Sequence, residues 1–191
     1  MELILASQSP RRKELLGLLN IPFTIQVSQA DETMDPRQDP AVSVAEVSRR
    51  KALALCAPET SVVIAADTIV VCDGEILGKP KDQQDAVRML NMLSGRSHQV
   101  MTGMTLLHKG KACSHTEITE VVFRPLDDQE IRRYVASGDP MDKAGSYGIQ
   151  SGGALFVETI HGDYYNVMGL PICRLTQILK ETVPELMEEI G

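Results

Sequence analysis

The chain opens Met1-Glu-Leu-Ile-Leu-Ala-Ser-Gln-Ser-Pro-Arg-Arg12, and this stretch decides the class of fold. Leu3 to Ala6 is an apolar run that reads as a buried strand. It breaks at Ser7-Gln8-Ser9, and Pro10 stands where a helix begins, because a proline at the first helical position gives up an N–H that has no partner there. Ser9 is a competent N-cap. Strand, hydroxyl-rich turn and helix start make the opening of a β–α unit and place Arg11 and Arg12 in the first helical turn. Backbone N–H groups, the positive end of the helix dipole and two guanidinium forks would converge there on a phosphate. An ordinary strand–helix connection with two solvated arginines accounts for the segment equally well.

Outward from this unit, strand and helix signals alternate. Leu15, Leu16, Leu18 and Leu19 give the first helix an apolar side, Asn20-Ile21-Pro22 ends it, and Phe23 to Val27 alternates as a strand. Pro40 opens a second helix with Val42, Ala45, Val47, Ala52 and Leu55 near a 3.6-residue spacing. Val62 to Ala66 is a short apolar run typical of a strand buried on both faces. Ile69 to Cys72 continues extended, and Asp73-Gly74 is a hairpin turn before Glu75-Ile76-Leu77. Asp82 to Leu93 reads as a helix with Ala86, Met89, Leu90 and Leu93 on one side. His98 to Leu107 and Glu117 to Phe123 read as strands around Lys109-Gly110-Lys111. Asp127 to Val135 is a further helix, a Gly-rich loop runs to Gly153, Ala154 to Ile160 is a strand, Leu170 to Lys180 the closing helix, and a polar tail follows Pro184. No repeat of 20–50 residues recurs, which excludes solenoids and propellers. The pattern is α/β with a mixed sheet, because hairpins accompany the crossover units.

Composition narrows the function. The 191 residues suffice for one enzyme-sized domain, 1–191, and 43% apolar residues is ordinary for a globular chain. No segment approaches a membrane span and the N-terminus lacks a signal peptide's pattern, so a cytoplasmic protein is expected. Cys56, Cys72, Cys113 and Cys173 are scattered without metal or redox spacing and are expected reduced. A net charge of −7 argues against non-specific nucleic-acid binding, yet a pocket with local positive charge can hold a polyanionic small molecule.

Chemistry-bearing residues gather at a few positions. Asp67, with Thr68 beside it, follows the buried run Val62–Ala66. A carboxylate at the end of a buried strand is costly to hide and is expected to face a cleft, where it could activate water or hold a divalent cation. Gly78-Lys79-Pro80 sets a lysine between two residues that constrain the backbone. Arg49-Arg50-Lys51 has the look of a solvated helix face, with Lys51 the member expected to point inward. Glu32 lies in an acidic loop and by composition is plain surface. Asp142 to Gln150 combines glycines with a lysine, Tyr147 and an amide, a set suited to a planar, hydrogen-bonding base. His98, His108, His115 and His161 show no ligand spacing and are given no catalytic role.

Read together, Leu-Ala-Ser-Gln-Ser-Pro-Arg-Arg, Ala-Ala-Asp-Thr, Leu-Gly-Lys-Pro, Leu-Ser-Gly-Arg-Ser-His, Asp-Lys-Ala-Gly-Ser-Tyr-Gly-Ile-Gln and Gly-Asp-Tyr-Tyr-Asn-Val-Met-Gly-Leu-Pro resemble the Maf family in order from Leu5 to Pro171. The resemblance implies an inosine triphosphatase-like (Maf/Ham1) fold, an elongated mixed sheet in two lobes flanked by helices with a central cleft. It implies a nucleoside triphosphate pyrophosphatase that yields the monophosphate and pyrophosphate with Mg²⁺ or Mn²⁺. Asp67 matches the family's general base. Ser7, Arg12, Lys51 and Lys79 match phosphate-binding positions, Arg11, Thr68 and Gln150 match specificity positions, and Glu32 with Asp67 matches the metal site.

The subtype also follows from the resemblance. The branch acting on 7-methyl-GTP carries Trp after Ser-Pro, Gln after the base Asp and Ser-Glu in place of Ile-Gln. Arg11, Thr68 and Ile149-Gln150 instead match the dTTP/UTP branch; Ser146, where Ala is usual, and Ser151 are minor departures. The resemblance leaves open a homodimer, and a reading as a nucleotide-binding regulator of division with incidental turnover.

Overall fold

The computed structural model describes residues 1–188. β1 (Leu3–Leu5) is buried at every position and pairs in parallel with β2 (Phe23–Ile25) and with β3 (Val62–Cys72). Between them run α1 (Pro10–Gly17) and α2 (Pro40–Leu53), each opened by proline and capped by the residue before it. Ser9 accepts from the Arg12 N–H and Asp39 from the Ala41 N–H, satisfying donors that a helix start leaves orphaned. β4 (Glu75–Leu77) folds back antiparallel on β3 through Asp73 and Gly74, at φ 49° and 81°, the positive pair a tight hairpin needs. α3 (Gln83–Leu93) leads to β5 (Ser97–His108) and β6 (Lys111–Phe123), then α4 (Asp128–Ala136), β7 (Val157–His161), α5 (Tyr164–Met168), α6 (Ile172–Thr182) and α7 (Pro184–Met187). The sheet has seven strands in the order β2-β1-β3-β5-β6-β7, with β4 on β3, and it is mixed, as the alternation of hairpins and crossovers implies.

Several elements depart from the sequence reading. β3 does not end at Ala66 but runs on through Asp67 and Thr68, so both are mid-strand residues rather than loop residues. β6 starts at Lys111 rather than Glu117. Its polar first half is held by hydroxyl contacts, Thr105 to Ser114 at 2.8 Å and Thr116 to the Ala41 carbonyl at 2.7 Å, which leave no apolar signature. The strand expected from Ala154 starts only at Val157, because Gly152–Phe156 forms a 3₁₀ turn, and α5 was not expected at all. Beyond Pro184 the chain is not merely polar, since Leu186 on α7 is fully buried; residues 189–191 of that tail lie outside the described ones. No helix among the described residues is long and apolar enough to cross a membrane, and all four cysteines are free thiols.

The chain forms two compact units. The first comprises Met1–Asp67, Thr102–Glu117 and the segment from Gly169 onward. Its core joins β1, Leu15 and Leu16 of α1, Val44, Val47 and Ala52 of α2, and Leu175 and Leu179 of α6. Ile4, Ala6, Ala52, Val63 and Ala65 form one cluster, and the small alanines let α2 lie close to the sheet. Gly103 shows how close: a Cβ there would stand 2.4 Å from the Val44 carbonyl oxygen.

The second unit comprises Thr68–Met101 and Ile118–Met168. α3 packs against α4 through Ala86, Met89, Leu90 and Leu93 on one side and Ile131 and Val135 on the other. The chain has no tryptophan and only three phenylalanines and four tyrosines, and this unit concentrates them. Phe123 meets Tyr147 edge-on at 4.7 Å and His98 at 4.9 Å, while Phe156 meets Tyr134 at 5.0 Å. Such edge-to-face pairs add to the burial of the rings themselves.

His98 lies inside this cluster, its Nε2 2.9 Å from the Tyr147 hydroxyl. Burial disfavours the imidazolium and lowers the pKa from 6.5 to about 4. On unfolding the ring regains its ordinary pKa and binds a proton that the native state refuses. This contribution to stability is therefore complete above pH 6.5 and is lost as the pH falls towards 4, worth at most about 3 kcal/mol. Titration of the His98 ring protons by NMR is expected to show a ring that is still mostly neutral at pH 5. An inflection near 6.5 in the folded protein would contradict the buried, neutral assignment.

Candidate active site

The first unit holds six of the residues singled out from the sequence, Ser7, Arg11, Arg12, Glu32, Lys51 and Asp67. β1 delivers the chain into Ser7, whose hydroxyl accepts from the Ser9 N–H at 3.2 Å and from Arg12 Nη1 at 3.2 Å. Arg12 Nε donates to the Gly169 carbonyl at 2.8 Å, so the guanidinium is gripped from two sides. Burial pulls the Arg12 pKa down; Asp67 opposes this, Arg11 adds to it and Glu32 opposes it. An arginine remains charged under such a pull, and the four groups evidently share one electrostatic neighbourhood. Arg11, the next residue on the same helical turn, is half-buried.

Lys51 is the centre of the cluster. It stands in the last turn of α2, on the face that buries Val44, Val47 and Ala52, and its side chain is only 10% exposed. Its Nζ lies 2.6 Å from Asp67 Oδ1 and 2.9 Å from Glu32 Oε1. The Asp67 side chain is 15% exposed, which an uncompensated carboxylate on a strand buried at most of its positions would not tolerate. The ammonium removes that cost, and this is how a charged residue occupies the middle of β3. Glu32 is 61% exposed and reaches the same ammonium from the loop after β2. That loop is itself tied down, because Arg50 donates to the Thr33 carbonyl at 2.6 Å and lies 3.6 Å from Asp31. The Arg49-Arg50-Lys51 run is thus only partly the solvated face that its composition suggests.

The second unit carries the remaining three residues. Thr68 is half-buried on β3. Lys79 is exposed in the turn after β4, whose Gly78 carbonyl accepts from the Gly145 N–H at 3.1 Å. Gln150 is exposed directly after buried Ile149. The aromatic and basic members of this loop do not present themselves as a base platform, which corrects the sequence reading. Tyr147 is buried against His98 and Phe123, and Lys143 is committed to Asp139 at 3.1 Å and Asp142 at 2.7 Å. Within this loop the candidate for contact with a base is Gln150. Sequence reasoning missed Gly169, whose carbonyl orients Arg12, and Asp139, which organises the loop. A backbone acceptor carries no side-chain signal, but an Asp four residues before a lysine was visible.

Among the described residues no three His, Cys, Asp or Glu side chains assemble into a metal cage; Asp67 and Glu32 converge as a pair. The arrangement is cationic and acidic at once, suited to holding phosphate oxygens beside a carboxylate that can take a proton from water.

The model of the Maf-like protein family matches residues 2–182. The chain belongs to the Maf family. Among Maf relatives, a dTTP/UTP pyrophosphatase from Bacillus cytotoxicus is 52% identical over 179 residues, covering 93% of this chain and 94% of that protein. A dTTP/UTP pyrophosphatase from Salinibacter ruber is 52% identical over 190 residues, covering 97% and 93%. Of solved structures, a HAM1 protein from Coxiella burnetii superposes over 95% of this Maf chain and all of its own at 15% identity and a TM-score of 0.49.

The Lys51 bridge has a measurable consequence. Lys51→Met leaves Asp67 without its cation on a largely buried strand and is expected to cost about 3 kcal/mol in urea unfolding. Adding Asp67→Asn is expected to recover part of that loss. A Lys51→Met protein as stable as the wild type would show that the ammonium does not support Asp67.

Proposed function

We propose that this Maf protein hydrolyses dTTP and UTP to the nucleoside monophosphate and pyrophosphate. The observation that carries the reading is the cluster in which Lys51 joins Asp67 to Glu32 beside the anchored Arg12. Relatives of like length at about half identity that bear this activity as their name support it.

A triphosphate is a dense polyanion, and attack at its α-phosphorus must proceed in line with departure of pyrophosphate. Arg12, held by Ser7 and Gly169, offers a pre-set fork to phosphate oxygens at the start of α1, where the helix dipole adds to the attraction. Lys51 has three N–H donors. Two serve the carboxylates and the third is available to a phosphate oxygen. Lys79, exposed on its turn, binds the triphosphate as a point charge. Asp67 accepts the proton of the attacking water, and its fixed position on β3 removes the need to reorganise in the transition state. Arg11, Thr68 and Gln150 select the base. The Gln150 amide both donates and accepts, which matches the O4/N3 edge of uracil or thymine.

Asp67 and Glu32 fit a divalent cation such as Mg²⁺ or Mn²⁺. They already converge on one cation, the Lys51 ammonium, and a hard metal ion takes one or two carboxylates together with substrate phosphates. When bound, the ion supplies neutralisation of the triphosphate charge. The substrate is a free nucleotide met in the cytoplasm, in keeping with the net charge of −7, which disfavours nucleic acid as a partner. An intact Asp67 within this cation set favours turnover over a regulator that merely binds nucleotide.

A panel of nucleoside triphosphates with Mg²⁺ or Mn²⁺ is expected to give fastest turnover with dTTP and UTP and to release pyrophosphate. Release of orthophosphate and a diphosphate would reject the reaction class. Gln150→Glu is expected to change the kcat/KM ratios among UTP, CTP and 7-methyl-GTP by about tenfold, since a polar group left unpaired where the bound base excludes water costs ~1–3 kcal/mol. Ratios that stay fixed while all rates fall together would remove Gln150 from base selection.

A further inference from the structure

We propose that Asp139 is a positioning residue for base selection: its carboxylate, gripped by Tyr134, Lys143 and Ser151, fixes the loop that presents Gln150. This rests on the reading of Gln150 given above.

The loop needs an external support. Apart from short 3₁₀ turns at Asp139–Asp142, Ala144–Ser146 and Gly152–Phe156 it has no regular structure, and Gly138, Gly145 and Ser146 take φ of 80°, 67° and 61°. Ser146 is a non-glycine residue in the left-handed region, a conformation that persists only where its surroundings impose it.

Asp139 ties this loop down on either side of Gln150. Its Oδ2 accepts from the Tyr134 hydroxyl at 2.6 Å and from the Ser151 hydroxyl at 2.6 Å, and its Oδ1 accepts from Lys143 Nζ at 3.1 Å. Lys143 Nζ also donates to the Asp139 backbone carbonyl at 2.5 Å. One carboxylate therefore ties the helix α4 to residues on both sides of Gln150, with Ser151 its immediate neighbour.

The Tyr134 contact reaches the other side of Gln150. With its proton directed to Asp139, the Tyr134 oxygen turns its lone pairs outward and accepts from the Gly148 N–H at 3.1 Å. Burial raises the Tyr134 pKa above its ordinary range, so the hydroxyl stays protonated and the relay keeps its direction. Asp139 itself is held ionised: burial works against the charge, and the bonds from Ser151, Tyr134 and Lys143 outweigh it. The packing leaves no slack, because a Cβ on Gly148 would meet Ser151 Oγ at 2.4 Å and one on Gly152 would meet Tyr134 Cε2 at 2.9 Å. Gln150 is exposed between these two fixed points, and its backbone is set by Asp139 through Tyr134–Gly148 on one side and Ser151 on the other. An amide that must discriminate a carbonyl from an amino group needs that fixity, since a mobile amide can satisfy either.

The test compares kcat/KM for UTP and CTP in Asp139→Asn, Asp139→Glu and Tyr134→Phe. Asp139→Asn is expected to lower the UTP/CTP ratio at least fivefold with kcat for UTP changed less than threefold, and Asp139→Glu to restore most of the ratio. Tyr134→Phe keeps the ring packing and removes only the relay, so it is expected to lower the ratio and to speed amide exchange at Gly148. It also decides the matter should Asp139→Asn fail to fold. A UTP/CTP ratio within twofold of the wild type in a folded Asp139→Asn or in Tyr134→Phe overturns the proposal. If Gln150→Glu shifts the ratio and these variants do not, Gln150 selects the base without Asp139. If Asp139→Asn shifts it and Gln150→Glu does not, the reading of Gln150 fails and the positioning role assigned here fails with it.

Discussion

One ammonium group decides where charge can exist on the central strand. Lys51 is carried inward by the apolar face of α2 and meets Asp67 at 2.6 Å and Glu32 at 2.9 Å. Without it, a carboxylate in the middle of β3 would be costly to hold, because the strand on either side of it is buried. With it, the protein keeps a fixed carboxylate at a site where Arg12 is also fixed, by Ser7 and the Gly169 carbonyl. The close packing of α2, with Gly103 under the Val44 carbonyl and alanines against the sheet, is what brings the lysine within reach. Core packing and charge placement are therefore one constraint in this unit.

The second unit solves a different problem, that of making an irregular loop rigid. It does so with a cluster of rings around Phe123 and with hydrogen bonds centred on Asp139. Its polar side chains are mostly spent on one another: Tyr147 on His98, Tyr134 on Asp139, Lys143 on Asp139 and Asp142. What the loop leaves exposed at its turn is the amide of Gln150. The groups that hold the loop are thus distinct from the amide it leaves exposed.

Much of this was legible from local signals. Ser9-Pro10 and Asp39-Pro40 mark helix starts, and Asp73-Gly74 marks a hairpin, because capping and turn chemistry act over two or three residues. The family blocks marked the candidate site residues in order. What escaped depends on partners distant in sequence or on irregular geometry. Asp67 reads as a strand end because the sequence around it does not show the ammonium that makes its burial affordable. Glu32 reads as plain surface because most of it is exposed, and its pairing appears only once α2 is folded. Lys111 to Thr116 lacks a strand pattern because hydroxyl contacts, one of them to Ala41, replace apolar burial. Tyr147 reads as a recognition residue by its neighbours and proves to be core.

The account stands most directly on Asp67. Asparagine at this position keeps the shape and an acceptor for Lys51 while removing the proposed general base. Turnover of dTTP and calorimetric binding of dTTP, measured on the same Asp67→Asn protein, separate the two roles. The expected result is a fall in kcat of ~10²–10⁴-fold with the dissociation constant changed by less than about tenfold. Turnover near that of the wild type, or binding lost in step with turnover, would contradict it.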